Sequence, residues 1–352
     1  MKLAKNIYSE DGRVLLGVGV ELTGVLIRKL HEHGIPFIYV FDKRTEDVVV
    51  PDIISDETRM RAMQLIRNSF RTLMEQSGRR KAVGSLDKEM RGVLSMIVDD
   101  LSSHKDAMLM LMNLSINDHY LYQHSLNVCV YATMLGMAVG YNRNELMALG
   151  LGALLHDIGK TLIPPSILSK KGKLTTEEYE VVKQHAEIGF RMLKDEANIP
   201  LLSAHCALQH HERLDGSGYP RGIKGDEIHD FAQWIGLVDS YDAMTSHRPY
   251  RPAMLPHQAM EILFTGAGTL FDMEKIRAFR DKVAIYPLGI TVRLHTGEIG
   301  VVVDINTSSP HRPVVRVLQD AEGREIDEPY EIDLSKHLSV MITGVNDTEI
   351  QV

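Results

Sequence analysis

The chain has 352 residues, 44% of them hydrophobic and 24% charged, which suits a soluble globular protein of two or three domains. Its formal net charge of −8 argues against broad, non-specific binding to nucleic acid or to anionic membranes. The cysteines lack a CxxC spacing, the N-terminus lacks the apolar stretch of a signal peptide, and no apolar run is long enough for a bilayer. We therefore expect a cytoplasmic protein without a membrane span.

Residues 1–85 predict a small mixed α/β unit followed by a helical segment. Apolar residues at helical spacing mark 22–33 and 55–76. Short apolar runs indicate a strand pair or strand-turn at 13–20, a strand at 37–41 and a further β-branched run at 48–50. No side chain in this unit suggests chemistry, so the expected role is regulation or the assembly of a homodimer.

Residues 86–282 predict a bundle of helices. Capping boxes at 142–145 and 175–178 mark two helix starts, and prolines and glycines divide the run into separate helices. Residues 286–352 instead contain short β-branched runs between turn sequences, which predict a small antiparallel β-barrel-like domain. Its strands are expected at 290–294, 300–305, 313–318 and 340–342. The expected fold class is mainly α, with a small domain at each end.

The helical region carries an ordered series of histidines and aspartates. The series consists of His124, His156, Asp157, His185, His210, His211 and Asp239. Its successive groups are 32, 29, 25 and 28 residues apart, a spacing that returns a chain to a similar height after one helical hairpin. These side chains could therefore converge at one level of the bundle.

Five imidazoles and two carboxylates form a mixed nitrogen and oxygen ligand set. Such a set favours Fe, Mn, Zn, Co or Ni over Mg or Ca, which prefer oxygen shells. Seven ligands exceed the need of one ion that keeps a place for water, so two ions bridged by Asp157 fit the number better. A single buried histidine is more often structural, but burying two adjacent pairs, His156 with Asp157 and His210 with His211, would be costly without partners.

Two segments carry a family resemblance. Residues 156–160 (HDIGK) resemble the HD motif of metal-dependent phosphohydrolases, and residues 210–220 (HHERLDGSGYP) resemble the signature of the HD-GYP subfamily. Further matching segments lie at 122–128, 163–168, 172–178, 238–242 and 246–251, so the resemblance covers residues 115–280.

The resemblance implies an all-helical domain that holds two or three metal ions, commonly iron or manganese. It implies hydrolysis of cyclic di-GMP to linear pGpG, often onward to GMP, by attack of a metal-activated hydroxide. All seven residues of the series match ligand positions of the family, with Asp157 at the catalytic centre. Lys160 matches the lysine near the scissile phosphate, where its charge would stabilise the developing oxyanion. Arg248 and Arg251 match positions that contact substrate phosphate or guanine.

Two further segments bear on the expected function. They are the GYP loop, residues 218–220, and the segment before the first histidine of the series. Gly218 would allow a close backbone approach, and Tyr219 could pack on a base or on a partner protein such as a diguanylate cyclase. Family members with a third ion carry a glutamate about one helical turn before the first histidine. Residues 117–123 here read NDHYLYQ, which places Tyr120 there. Two ions are therefore expected, with a third on His119 or Asp118 as the alternative, and the final product stays open.

Two alternative functions stay open beside cyclic di-GMP hydrolysis. One is a phosphohydrolase of the wider HD superfamily that acts on another nucleotide, which the GYP loop and residues 246–251 disfavour. The other is a signalling scaffold that binds cyclic di-GMP with little turnover, against which the complete ligand series argues.

Overall fold

The computed structural model describes residues 1–8, 13–32, 35, 38–50, 53–75, 84–103, 120–170, 172–196, 199–246, 254–306 and 308–345. These residues form an N-terminal unit, a helical body and a C-terminal sheet, each with a hydrophobic cluster of its own.

The N-terminal unit contains two short strands and one helix. They are β1 (Ile7–Tyr8), β2 (Val14–Leu16), which is antiparallel to β1, and α1 (Gly24–Glu32). The β-branched run at 48–50 forms no strand with the other described residues and instead lines a cavity of about 720 Å³ that faces the C-terminal sheet. Of the strand predicted at 37–41, the described residues form only an isolated bridge between Val40 and Leu3.

Helices account for the middle of the chain, as predicted. They are α2 (Asp56–Glu75), α3 (Gly84–Ser103), α4 (Tyr120–Ala138), α5 (Arg143–Leu155), α6 (Pro165–Leu168), α7 (Thr176–Lys183), α8 (His185–Leu193), α9 (Leu201–Gln209), α10 (Asp230–Thr245), α11 (Pro256–Thr265) and α12 (Met273–Arg280). Both predicted capping boxes are confirmed, at the starts of α5 and α7. In the described part of the chain, no helix combines the length and apolar content needed to cross a membrane.

Four helices form the centre of the helical body. α4 packs against α5 and α10, and α5 packs against α9. Apolar residues occupy several sides of α4 and α5, so that Leu126, Leu135, Leu149 and Leu155 are all at most 1% exposed. A helix that is apolar on several sides must be covered on those sides, which explains why α4 and α5 lie in the interior.

The C-terminal region is an antiparallel sheet. Its strands are β3 (Thr291–Leu294), β4 (Ile299–Asp304), β5 (Val314–Gln319), β6 (Glu325–Asp333) and β7 (Ile342–Val345), in the order β6-β5-β4-β3-β7. Buried residues alternate along β3 and β4, as expected for a sheet with one covered face. β6 and β7 are the edges in the described pairings, so the predicted β-barrel-like shape is not confirmed.

Two arginines join the N-terminal unit to this sheet. Arg316 of β5 donates to both carboxylate oxygens of Asp47, at 2.6 and 2.7 Å, and Arg44 forms an ion pair with Glu325 of β6. The first and last regions of the chain are therefore in contact through charged side chains.

Candidate metal centre

Five segments of the helical body bring the histidine and aspartate series together. His124 lies within α4 and Asp239 within α10. The remaining side chains lie at helix ends: His156 directly follows α5, His185 begins α8, and His210 directly follows α9. Six of the seven side chains are buried, and His211 is partly exposed.

Three of the histidines are oriented by backbone carbonyls three or four residues earlier in the sequence. Nδ1 of His156 lies 2.7 Å from the carbonyl oxygen of Ala153, and Nδ1 of His185 lies 2.6 Å from that of Val182. Nδ1 of His210 lies 3.1 Å from the carbonyl oxygen of Cys206. A carbonyl can only accept, so Nδ1 carries the proton of the neutral ring and Nε2 keeps its lone pair. This is the tautomer that a metal ligand bound through Nε2 requires.

The carboxylate of Asp157 lies between two groups of these nitrogens. Its Oδ1 is 3.3 Å from Nε2 of His185 and 3.7 Å from Nε2 of His210. Its Oδ2 is 3.6 Å from Nε2 of His124 and 3.4 Å from Nε2 of His156. One side chain thus presents a different oxygen to each group.

Asp239 also extends across the cluster. Its Oδ1 lies 3.0 Å from Nε2 of His124, and its Oδ2 lies 3.8 Å from Nδ1 of His211. Potential ligand atoms of Asp157, His185, His210 and His211 lie within 4.8 Å of one another, as do those of His124, His156 and Asp157.

The arrangement fits a cation site better than a set of internal hydrogen bonds. Within the described residues, Nε2 of His156 and Oδ1 of Asp157 are buried and have no hydrogen-bond partner. Leaving such atoms unpaired costs free energy, and a metal ion would satisfy both. Imidazole nitrogens with carboxylate oxygens suit a first-row transition metal.

Burial keeps several of the histidines in the form that binds metals. It lowers the pKa of His185 to about 3, and it also lowers the pKa of His210 and of His211, so these rings are neutral at pH 7. Burial opposes the charged form of His124 as well, but its hydrogen bonds to Asp239 and Asp242 outweigh that effect and raise its pKa to about 9. A cation bound at His124 would therefore displace a proton.

Lys160 lies next to Asp157 on the tight turn Ile158–Leu162. Its Nζ is 2.5 Å from Oδ2 of Asp157, and its side chain is 18% exposed. Burial alone would raise the pKa of Asp157, yet the charges of Lys160 and the neighbouring histidines hold it well below the usual range. A Cβ at Gly159 would lie 2.0 Å from the carbonyl oxygen of His185, so the turn can approach α8 this closely only with glycine there.

The GYP loop covers one side of the cluster. A Cβ at Gly218 would lie 2.4 Å from the carbonyl oxygen of His211, so this contact also requires glycine. The ring of Tyr219 stacks on His211, with centroids 4.6 Å apart and an interplanar angle of 27°. The predicted substrate contacts Arg248 and Arg251 lie outside the described residues.

The two residues suggested for a third ion, Asp118 and His119, also lie outside the described residues. One functional candidate was missed by the sequence analysis, namely Asp242. Its Oδ2 is 2.7 Å from Nδ1 of His124, and Asn127 donates to its Oδ1 at 2.7 Å. Asp242 orients the ring of His124 through Nδ1, as backbone carbonyls orient His156, His185 and His210. Its position one helical turn after Asp239, on the same face of α10, was the available signal.

Two family profiles match the helical body and the C-terminal region. A profile of the HD domain family matches residues 108–274, and a profile described as a KOW domain associated with HD domain matches residues 291–350. A protein of Bdellovibrio bacteriovorus, described as Bd1817, a HDG"Y"P protein, has a similar fold. The two structures superpose with a TM-score of 0.54 at 17% sequence identity, and the match covers 80% of this chain and 94% of the Bdellovibrio chain.

Curated relatives are similar over much of the helical body. Cyclic di-GMP phosphodiesterase PA4108 of Pseudomonas aeruginosa is 37% identical over 68% of this chain and 59% of its own length. A cyclic di-GMP phosphodiesterase of Thermotoga maritima is 35% identical over 64% of this chain and 60% of its own. The 3'3'-cGAMP-specific phosphodiesterase 3 of Vibrio cholerae is 35% identical over 51% of this chain and 39% of its own length.

The chain thus spans at most 60% of the length of these relatives. Its HD and GYP segments both lie at the buried cluster, inside the part of the chain that matches the family profile. By this match and these motifs, the helical body of the chain is similar to the HD domain family and resembles its HD-GYP branch.

Proposed function

We propose that this chain is a metal-dependent phosphodiesterase that hydrolyses cyclic di-GMP to linear pGpG. The observation that carries the proposal is the position of Asp157, whose two oxygens face two different groups of buried histidine nitrogens. We infer the substrate from the Pseudomonas and Thermotoga relatives, both of which are named cyclic di-GMP phosphodiesterases. Whether a second hydrolysis yields GMP is an outcome of the assay below.

The proposed centre holds two divalent ions, iron or manganese. The first would be held by His124, His156 and Asp157, and the second by Asp157, His185, His210 and His211, with Asp239 between them. Bound ions would supply Lewis acidity towards water and towards the phosphoryl oxygens. This assignment rests on the distances and on the tautomers that the backbone carbonyls impose.

The protein's own side chains would hold the substrate at this centre. The ammonium of Lys160 is partly exposed beside Asp157, where it can bind a non-bridging phosphate oxygen and stabilise negative charge as it develops. Arg248 and Arg251 are proposed as further contacts to phosphate or guanine, on the strength of the family match alone. We also propose a cytoplasmic location, a homodimer, and contact of the GYP loop with a signalling partner such as a diguanylate cyclase.

The decisive test is anaerobic purification, metal analysis and a product assay on cyclic di-GMP. The proposal predicts about two iron or manganese ions per chain and the appearance of pGpG. The Lys160→Met variant should retain the metal and lose turnover, because it keeps the length of the side chain and removes the charge. Fully metal-loaded protein that leaves cyclic di-GMP intact would rule the activity out.

A second candidate substrate is 3'3'-cGAMP, because one relative of 35% identity is named as specific for it. A panel of cyclic di-GMP, 3'3'-cGAMP and GTP separates the candidates by their values of kcat/KM. Binding of cyclic di-GMP without turnover of any member of the panel would instead favour the scaffold alternative.

A further inference from the structure

Three side chains at the rim of the metal centre form a cluster that the proposed chemistry does not use. Tyr179 and Lys183 lie on α7, and Tyr219 lies in the GYP loop. The rings of Tyr179 and Tyr219 are 6.4 Å apart, edge to face. Nζ of Lys183 lies 5.1 Å from the centre of the Tyr179 ring and 5.6 Å from that of Tyr219. We call these three residues the rim cluster.

The rim cluster is continuous with the proposed metal ligands. Tyr219 stacks on His211 and lies 6.3 Å from the ring of His185. Lys183 precedes His185 by two residues, so the end of α7 leads directly to a ligand. A nucleotide whose phosphate lies at the ions would therefore have the rim cluster within reach of its base.

The outer part of the rim cluster is open to solvent. Tyr179 is 46% exposed, and the side chain of Lys183 is 29% exposed while forming an ion pair with Glu180 at 2.6 Å. An exposed tyrosine face beside a nucleotide site is a stacking surface for any base. An ammonium beside it adds selectivity, because guanine presents the acceptors O6 and N7 on one edge, whereas adenine has a donor amino group in place of O6.

We propose that Tyr179 and Lys183 form a subsite for one guanine base of the cyclic dinucleotide. Tyr179 stacks on the base, and Lys183 donates to its O6 and N7 edge, which sets a preference for guanine over adenine. Tyr219 supports Tyr179 from the side of the metal centre. This inference rests on the proposed function, since it assumes a nucleotide phosphodiester at the ions.

The experiment compares three substrates on the metal-loaded full chain. They are cyclic di-GMP, cyclic di-AMP and methyl p-nitrophenyl phosphate, a phosphodiester without a base. Tyr179→Ala and Lys183→Met are compared with the matched controls Tyr330→Ala and Lys336→Met in the C-terminal region, where Tyr330 has the same 46% exposure as Tyr179. Metal content and thermal melting are recorded for every variant.

Each variant has its own expected signature. In Tyr179→Ala, kcat/KM for both dinucleotides should fall by about 5- to 150-fold relative to the base-free diester, the usual range for loss of one base stack. In Lys183→Met, the ratio of kcat/KM for cyclic di-GMP to that for cyclic di-AMP should fall by about 5-fold or more, because the donor to guanine is gone. Both control variants should behave like the wild type.

Two other results would overturn the inference in distinguishable ways. If the wild type hydrolyses cyclic di-GMP but both α7 variants change all three substrates by the same factor, the rim cluster is only structural and the proposed function stands. If the wild type hydrolyses the base-free diester but neither dinucleotide, the proposed substrate is wrong and the guanine subsite falls with it.

Discussion

The helical body and the C-terminal sheet bury polar side chains to very different extents. Among the described residues, every buried polar or charged side chain lies between Thr58 and Ser246, and the sheet has none. The charged side chains of the sheet are partly or fully exposed, and Arg316 pairs with Glu331 and with Asp47. Its buried positions, such as Val315 and Val317, are apolar.

The proposed metal centre gives a physical reason for much of this difference, since its six buried side chains all lie in the helical body. Burying a polar atom costs free energy unless it gains a partner, so a fold selected for stability alone avoids it. The helical body buries the cluster around Asp157 despite that cost. The following four predictions test this contrast, from the largest expected effect to the smallest.

Removing two members of the cluster should abolish activity without weakening the metal-free fold. In His156→Ala with Asp157→Ala, turnover should fall by about 1000-fold or more, because a Lewis-acid centre contributes several kcal/mol. The metal-free variant should still fold and should melt close to the metal-free wild type, because removing the unpaired Nε2 of His156 and Oδ1 of Asp157 offsets the lost contact between Asp157 and Lys160. Metal analysis, product assay and calorimetry measure these effects. His337→Ala in the C-terminal region is the control, and a large loss of stability in the double variant would contradict the contrast.

Changing Asp242 to asparagine should weaken metal binding to an intermediate extent. Asp242 uses one carboxylate oxygen for His124 and the other for Asn127, whereas an amide has only one oxygen. The asparagine therefore cannot accept from both partners, and the tautomer of His124 is no longer fixed. Loss of such an outer contact typically costs about 10- to 100-fold in metal affinity. Titration with manganese gives the affinity. Asp327→Asn on the exposed side of β6 is the matched control, and an unchanged affinity in Asp242→Asn would refute the role.

A cavity in the sheet should cost stability and leave the metal centre intact. Val317→Ala removes buried methyl groups and should lower the free energy of unfolding by about 1–3 kcal/mol. Chemical denaturation measures the loss, and metal analysis shows whether the centre is retained. A drop in metal content would mean that the two regions are coupled, contrary to the contrast drawn above.

The smallest effect is expected for the ion pair between the two ends of the chain. The guanidinium of Arg316 lowers the pKa of Asp47 to about 2. Because this pKa is depressed in the folded state, the stabilisation is present above the ordinary pKa near 4 and is lost as the pH falls towards 2. Asp47→Asn should therefore melt slightly lower than the wild type at pH 7, and the difference should vanish near pH 2. A difference that persists at low pH would exclude the ion pair as its cause.

Local signals in the sequence predicted the helices and marked the seven side chains that the structure brings together. The capping boxes at Asn142 and Thr175 are side-chain to backbone contacts within one turn, so spacing alone identifies them. The ligand series was recognisable because its residue types are rare in a core. The structure brings those seven side chains together, and their role as ligands stays a prediction.

Features that depend on distant partners were not predictable in the same way. The apolar run at 48–50 has strand-like residues but forms no ladder with the other described residues. β6 was missed for the opposite reason, because it is acidic and contains Pro329, which only an edge strand tolerates. Asp242 depends on a contact across 118 positions of sequence. Such contacts require the fold before they can be seen.

The backbone contacts of His156, His185 and His210 bear on how such a centre could be built elsewhere. Each ring is aimed by a carbonyl at most four residues away, so its direction is set within a single short peptide segment. Assembling the centre then requires that the segments be docked at the right height, without further adjustment of the rings. In protein design, these three segments could be grafted with the orientation of their histidines already set. His124 would have to be grafted together with α10, because Asp242 of that helix orients its ring.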